Sequence, residues 1–355
     1  MRGLAFEGGG AKGAYHIGVT KALFEKGYTF DGFVGTSIGA INAAMMAQGD
    51  VDKAIKSWMD ITAEDIFDES TRKAIIERSI NEEKIRESGK DFGLVTVSLS
   101  DLKPYELMLE DIPHGQLVNY VMASASLPIF RPETIEEKKY LDGSFYNNCP
   151  INLLIEKGYD EIIVVRTYAL GIFRKTEDPR VKLIAPYASL GNTMRFSRER
   201  IAANIKLGYY DGLRFAEGLL GISYYIRPTD IDVFNMRLMS LSDDVVLKTG
   251  KMLGIHQAPA KRMLFEKIIP QLGAHMKLDK NFDYADFMIA LLERLAEEKE
   301  VDRFHVYDYD ELCSLVKQTP EEKIRKEPRA VARLLDSSGL MKKKNAIRLL
   351  GESLL

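Results

Sequence analysis

The stretch Val34-Gly35-Thr36-Ser37-Ile38-Gly39-Ala40 constrains this chain more than any other. An apolar strand runs into it from Phe30, and a small-residue helix runs out of it to Ala47. Ser37 stands at the tip, with Gly35 two residues before it and Gly39 two after. The G-x-S-x-G spacing is that of a strained strand-to-helix turn, which pushes a hydroxyl out of the top of a sheet. A side chain at Gly35 or Gly39 would collide with neighbouring backbone, so glycine is a steric requirement there. The same spacing also arises by chance, and its meaning depends on what surrounds it.

What precedes it is organised. Leu4-Ala5-Phe6 reads as a buried strand, Glu7 to Gly13 as a glycine-rich turn, and Ala14 to Lys26 as a helix stopped at Gly27. Strand, helix, strand, helix predicts an α/β fold with a central, mostly parallel sheet. Val51 to Glu87 is polar with helical period and holds the single tryptophan, Trp58. Gly93 to Leu99 reads as a central strand and Gly115 to Ala125 as a helix leading into Ser126-Leu127-Pro128. Lys139-Tyr140-Leu141 is a short strand that delivers Asp142-Gly143-Ser144. A helix (Ile151 to Glu156) and a strand (Glu161 to Val165) follow. Beyond about residue 170 the patterns are helical, apart from one further strand at Ser223 to Ile226. With 355 residues, two domains are expected: an α/β domain over 1–170 and a mostly helical region over 171–355.

Composition narrows the function. A net charge of -3 gives no global basic field, so nucleic acid is not an expected partner. Cys149 and Cys313 lie too far apart in sequence for a disulfide framework or a metal-ligand cluster, and neither metal nor cofactor is expected. The sequence carries no signal-peptide pattern and no window of about 18 apolar residues, so a soluble cytoplasmic protein is expected.

The glycine turn admits two readings. Three consecutive glycines between a strand and a helix expose backbone N–H groups to negative charge, either a nucleotide phosphate or an oxyanion. A P-loop needs Ser or Thr directly after Gly-Lys, whereas Lys12 is followed by Gly13. The dinucleotide spacing is met by Gly8, Gly10 and Gly13, with Asp31 near the required acidic position, so that reading stays open. The serine turn one helix later favours the oxyanion hole.

A serine hydroxyl needs a base. Of the five histidines, His16, His114, His256, His275 and His305, none lies in a glycine-flanked turn. His16 is expected to face out of the first helix, in a local polar contact or in packing; the others read as surface or packed residues. Asp142, at the end of a short strand and before Gly143, is a carboxylate candidate.

Here the residues carry a family resemblance. Glu7 to Gly13 resembles the G-G-G-x-K/R-G block of patatin-like phospholipases, and Gly35 to Gly39 their G-x-S-x-G block. Ala123-Ser124-Ala125-Ser126-Leu127-Pro128 is similar to their small-residue segment, and Asp142-Gly143 to their D-G motif. The four blocks stand in the family's order over about residues 1 to 170. The resemblance implies a three-layer α/β/α fold and a Ser–Asp dyad, with Ser37 as nucleophile and Asp142 as general base. It also implies an oxyanion hole from the N–H groups of Gly9, Gly10 and Ala11. Gly8, Gly13, Gly35, Gly39 and Gly143 would support these turns, and Lys12 would hold the loop or favour anionic head groups. Two residues depart from the pattern: Glu7, where Asp is commoner, and Ser144, where Gly or Ala is usual.

The function implied is hydrolysis of lipid acyl esters, of phospholipase A or lysophospholipase type, on a phospholipid or lysophospholipid substrate. The alternatives are a nucleotide-binding α/β protein and a non-catalytic lipid-binding protein of the same fold. Peripheral membrane contact would involve the basic segment Glu321 to Arg348, where Lys342-Lys343-Lys344 is followed by Ala346, Ile347, Leu349 and Leu350. A solvated charged face is the plainer reading of that segment. The run Met236, Leu238, Met239 and Leu241 suits core packing better than lipid contact, and Tyr209-Tyr210-Asp211-Gly212 is assigned to packing.

Overall fold

A computed structural model describes residues 1–255, 259–319 and 340–355. The chain forms two compact units, Met1–Ala216 and Glu217–Leu355. The first opens with β1 (Arg2–Phe6), α1 (Ala14–Glu25), β2 (Gly32–Thr36) and α2 (Ile38–Ala47), as the sequence predicts. The polar stretch that follows folds as α3 (Val51–Asp60), α4 (Ala63–Phe67), α5 (Glu69–Ser79) and α6 (Glu82–Glu87). Then come β3 (Asp91–Ser98), β4 (Lys103–Met108), α7 (Leu117–Ser124), β5 (Glu133–Ile135) and β6 (Lys138–Asp142). The unit ends with α8 (Ile151–Glu156), β7 (Glu161–Val165), β8 (Val181–Ile184) and α9 (Arg198–Glu217).

The strands make one eight-stranded sheet in the order β5-β6-β3-β2-β1-β7-β8, with β4 also paired to β3. Strands β3, β2, β1, β7 and β8 run parallel; β4, β5 and β6 join antiparallel. Successive side chains of a strand point to opposite faces. On one face Ala5, Val34, Ile162 and Val164 pack against Leu153 and Leu154 of α8. On the other, Phe6 meets His16 of α1, ring centroids 4.9 Å apart. Both faces are covered, giving the three-layer α/β/α arrangement, and β2 is buried along its whole length. That is why the central strands read as near-continuous apolar runs rather than alternating ones.

One detail of register positions everything functional. Residues Asp91 to Val95 of β3 pair with β2, which ends at Thr36 opposite Val95. Residues Thr96 to Ser98 pair instead with β6, with Asp142 opposite Thr96. Gly93 to Ser98 pair with β4 as well. A strand has only two edges, so β6 occupies the edge that β2 leaves. The last residues of β2 and of β6 therefore meet beside Val95 and Thr96, one arriving from each direction.

The expected domain boundary near residue 170 falls instead at Ala216. Strand β8 extends the sheet, and α9 is tied to α1. The hydroxyl of Tyr15 donates to Asp211 Oδ2 at 2.8 Å in a buried contact, and that of Tyr209 donates to Glu25 Oε2 at 2.6 Å. Strands β4, β5 and β8 escape the sequence reading because they lie at or near the sheet's edges and carry polar residues on their exposed sides.

The second unit is helical, with helices Ile231–Ser240, Asp243–Met252, Tyr284–Glu298, Tyr309–Gln318 and Leu340–Leu354 among its described elements. Phe287, Leu291, Leu292 and Leu295 face its core, as their spacing predicts. The strand expected at Ser223 to Ile226 is Tyr225–Ile226, paired with Val306–Tyr307, in a stretch that reads as purely helical from sequence. Leu238 and Leu241 enter the core, while Met236 and Met239 are exposed. Residues 321–339 of the basic segment, and His256, lie outside the described residues. Ala346, Ile347 and Leu350 are buried in the core of this unit, so these side chains are not open to a bilayer. No helix of the described residues is long and apolar enough to cross a membrane.

Replacing Tyr15 by Phe removes a donor from a buried carboxylate at the α1–α9 contact. The expected cost is about 1–3 kcal/mol, read by urea denaturation of the full chain.

Candidate active site

Ser37 sits between β2 and α2 with φ 58° and ψ -128°, a left-handed backbone that a residue with a Cβ rarely adopts. Close contacts hold it there. A Cβ on Gly35 would lie 2.2 Å from the Gly39 carbonyl oxygen, and one on Gly39 would lie 2.4 Å from that of Phe6. The N–H of Ser37 donates to Ser124 Oγ at 3.0 Å. The side chain is mostly buried but lines an open cleft.

Asp142 is fully buried at the end of β6. Its N–H donates to the Ser126 carbonyl at 2.9 Å, and its Oδ1 accepts from the Ser144 N–H at 2.8 Å. Gly143 is a second steric requirement, because a Cβ there would lie 2.2 Å from the carbonyl oxygen of Val95 on β3. The Ser37 hydroxyl interacts with the Asp142 carboxylate. Oδ2 accepts no hydrogen bond among the described residues. Burial pushes the Asp142 carboxyl above the usual carboxylate range, and the hydroxyl of Ser37 and the N–H of Ser144 pull it partly back.

The glycine turn is held on both flanks. Gly8 donates its N–H to the Asn148 carbonyl at 2.9 Å and accepts from the Thr167 hydroxyl at 2.7 Å. Gly10 has φ +54°, and a Cβ there would strike the Thr193 carbonyl. Among the described residues, the N–H groups of Gly9 and Gly10 make no hydrogen bond. Ala11, expected to share the oxyanion hole, does not fit that part: its N–H donates to the Thr193 carbonyl at 2.8 Å. Lys12 holds the loop, donating to the Tyr168 carbonyl at 3.2 Å.

Glu7 anchors the turn, a part the sequence reading does not assign to it. Its buried carboxylate accepts both Nε and Nη2 of Arg166 at 3.0 Å, and the N–H groups of Thr167 and Tyr168 at 2.6 and 2.9 Å. Its appearance directly after a buried strand was the available signal, since a buried carboxylate implies partners. Ser124 is a second omission. The segment Ala123–Pro128 reaches both key residues, Ser124 through the N–H of Ser37 and Ser126 through that of Asp142.

Neither histidine of the first unit, His16 or His114, is hydrogen-bonded to Ser37. His16 is buried rather than facing outward. Its Nδ1 meets Asn42 Nδ2 at 3.0 Å, and Asn42 Oδ1 accepts from Trp58 Nε1 at 3.0 Å. Burial pushes the His16 ring down to about 3, so it stays neutral. His114 is an exposed loop residue; His275 and His305 belong to the second unit. Asp31 lies at the start of β2 and accepts the Arg2 N–H at 2.7 Å. A dinucleotide site needs its acidic residue at the opposite, carboxyl end of that strand, so the glycine turn lacks that partner.

The cleft encloses about 930 Å³ of non-atom space, part of it open to solvent. Ile38, Ile41, Trp58, Met122, Phe130 and Phe196 are among its mainly apolar walls, and Gly10 and Ser37 lie in it. No group of His, Cys, Asp and Glu among the described residues is arranged to hold a metal ion.

Fold and site together define an α/β protein with a serine turn facing a glycine turn. The sequence pattern described as patatin-like phospholipase matches residues 4–94 and 61–155. An uncharacterised NTE family protein of Mycobacterium bovis is 30% identical over 161 residues, covering 42% of this chain and 44% of its own. Neuropathy target esterase sws of Drosophila melanogaster is 30% identical over 180 residues, covering 46% of this chain and 12% of its own. Patatin-like phospholipase domain-containing protein 6 of Mus musculus is 27% identical over 184 residues, covering 46% and 13%. The chain thus spans less than half the length of these relatives. Through residues 4–155 its first unit matches the patatin-like phospholipase family.

The raised carboxyl of Asp142 has a consequence for stability. Between the ordinary carboxylate pKa and the raised folded value, the folded state binds more protons than the unfolded one. Stability contributed here is therefore lost as pH rises through that window. Asp142→Asn keeps an oxygen for the Ser144 N–H and removes the buried charge. Its melting temperature should exceed that of the parent chain at pH 7, with the gap narrowing toward pH 4.

Proposed function

We propose that this chain is a serine hydrolase of lipid acyl esters, with its catalytic machinery in the first unit. The match to a lipid-hydrolase family sets the broad class. The finer reading is carried by one observation: a strained, cleft-lining Ser37 interacts with a buried carboxylate whose Oδ2 accepts no hydrogen bond among the described residues.

In this mechanism Asp142 takes the proton of Ser37 as Oγ attacks the ester carbonyl. The carbonyl oxygen becomes negative and accepts from the unpartnered N–H groups of Gly9 and Gly10. The tetrahedral species collapses, the alcohol leaves with the proton held on Asp142, and an acyl group remains on Ser37. Water then attacks that ester as Asp142 takes one of its protons. The second collapse frees the fatty acid, and the proton returns to Ser37. Desolvation favours this use of a carboxylate, since a raised pKa makes a stronger base near neutrality. The apolar cleft beside Ser37 suits one acyl chain, and a phospholipid or lysophospholipid is the substrate this reading assigns.

A fluorophosphonate probe should label the parent chain and fail to label Ser37→Ala. Asp142→Asn should lower kcat on a lysophospholipid by at least about 100-fold, with the fold intact by circular dichroism. Full activity in Asp142→Asn, together with loss in a single His→Ala variant, would show the base to be elsewhere.

A further inference from the structure

The loop that leaves β7 holds a surface that the reaction itself does not use. Leu170 is 96% exposed and Ile172 52%, with Tyr168 exposed beside them. Phe145, 54% exposed, follows Ser144 on the neighbouring turn. A single exposed leucine is ordinary, but several large apolar side chains on adjoining turns mark an interaction site.

The loop is fastened to the site on both sides. The Tyr168 N–H donates to Glu7, and its carbonyl accepts from Lys12. The Ile172 N–H donates to the Ser144 carbonyl at 2.9 Å, two residues after Asp142. The Ile172 carbonyl accepts from the Asn148 N–H at 2.7 Å. So many backbone contacts hold the turn while its apolar side chains remain in water. The charges are one-sided. Residues 166 to 175 include Arg166, Arg174 and Lys175 and no carboxylate; Glu177 is the first acid beyond them. Arg166 is paired with Glu7, leaving Arg174 and Lys175 exposed on the loop, the guanidinium of Arg174 over the Tyr146 ring at 4.1 Å.

We infer that loop 168–175, with Phe145, is the surface by which this unit docks on an anionic lipid bilayer. Leu170 and Ile172 would enter the acyl boundary while Arg174 and Lys175 meet the head groups. Apolar insertion beside cations is the composition that suits an interface of this kind. The inference rests on the lipid-ester reading above, in which Ser37 must take its substrate from a lipid surface. It differs from the expectation that the carboxyl-terminal basic segment makes the membrane contact.

The test uses the full chain and sedimentation with vesicles of phosphatidylcholine, with and without phosphatidylglycerol. The parent chain should bind the anionic vesicles more tightly, and salt should weaken that binding. Leu170→Ser/Ile172→Ser should lose at least about tenfold in partitioning. Arg174→Ser/Lys175→Ser should lose the preference for phosphatidylglycerol. Turnover of a soluble short-chain ester should stay within about twofold in both variants, since neither pair lines the cleft. Unchanged vesicle binding in the leucine–isoleucine variant would overturn the inference. So would a dimer of the parent chain that this variant abolishes, which would assign the patch to a second copy. Loss of soluble-ester turnover in the variants would assign the loop to the integrity of the site and overturn the docking role. Vesicle binding is read without turnover, so an active Ser37→Ala would sink the hydrolase reading separately.

Discussion

The sharing of one edge of β3 is the constraint on which the rest depends. Strand β2 pairs with that edge up to Val95, and β6 takes it from Thr96 onward. Two strands arriving head to head on one edge must each stop, and each must leave the sheet there. Strand β2 leaves through the turn at Ser37, and β6 through the turn at Asp142 and Gly143. Residues more than a hundred positions apart are thereby brought together by main-chain hydrogen bonds rather than by side-chain affinity. A slip of one residue in either ladder would turn the side chains to the opposite face. The closeness of Gly143 to the Val95 carbonyl admits no side chain at that position.

Two buried carboxylates flank this junction, and the fold treats them oppositely. Glu7 receives a bidentate guanidinium and two backbone N–H groups, which makes it a strut for the glycine turn. Asp142 receives one backbone N–H on Oδ1, with the hydroxyls of Ser37 and Ser144 acting on its carboxylate and no hydrogen bond to Oδ2 among the described residues. Burial without full compensation raises a carboxyl pKa, and groups left in that condition tend to be functional. The contrast sets a fully compensated structural carboxylate beside one left short of partners.

Much of this was legible from sequence where the cause is local. The turn at Ser37 was readable because glycine spacing is a steric signature, and the central strands because burial on both faces makes them continuously apolar. Asp142 was readable as a strand-end Asp-Gly, and the resemblance gave it a role. The partner of Ala11 is not legible in the sequence, because its N–H is taken by Thr193, a residue 182 positions away that no local pattern connects to it. His16 was expected outside because a histidine on a mixed helix has no distinguishing period; its burial depends on Asn42 and Phe6 from other elements. The boundary near 170 followed a change of texture in the sequence. The actual limit follows α9, whose polar face hid its contacts with Tyr15 and Glu25.

The carboxylate base proposed for this site imposes more on a fold than an imidazole would. Histidine near neutrality exchanges a proton in water, so it tolerates partial exposure. A solvated aspartate is too weak a base for a serine hydroxyl, so its charge has to be kept from water and from most donors. That isolation opposes folding, and rigid backbone has to hold it. The needed rigidity comes from the segment Ala123–Pro128, which grips Ser37 through Ser124 and Asp142 through Ser126. The same few residues therefore fix the spacing between hydroxyl and carboxylate and resist the relaxation that would let a competing donor reach Oδ2. On this view the small-residue segment is the third part of the proposed site, joined to it through Ser124 and Ser126.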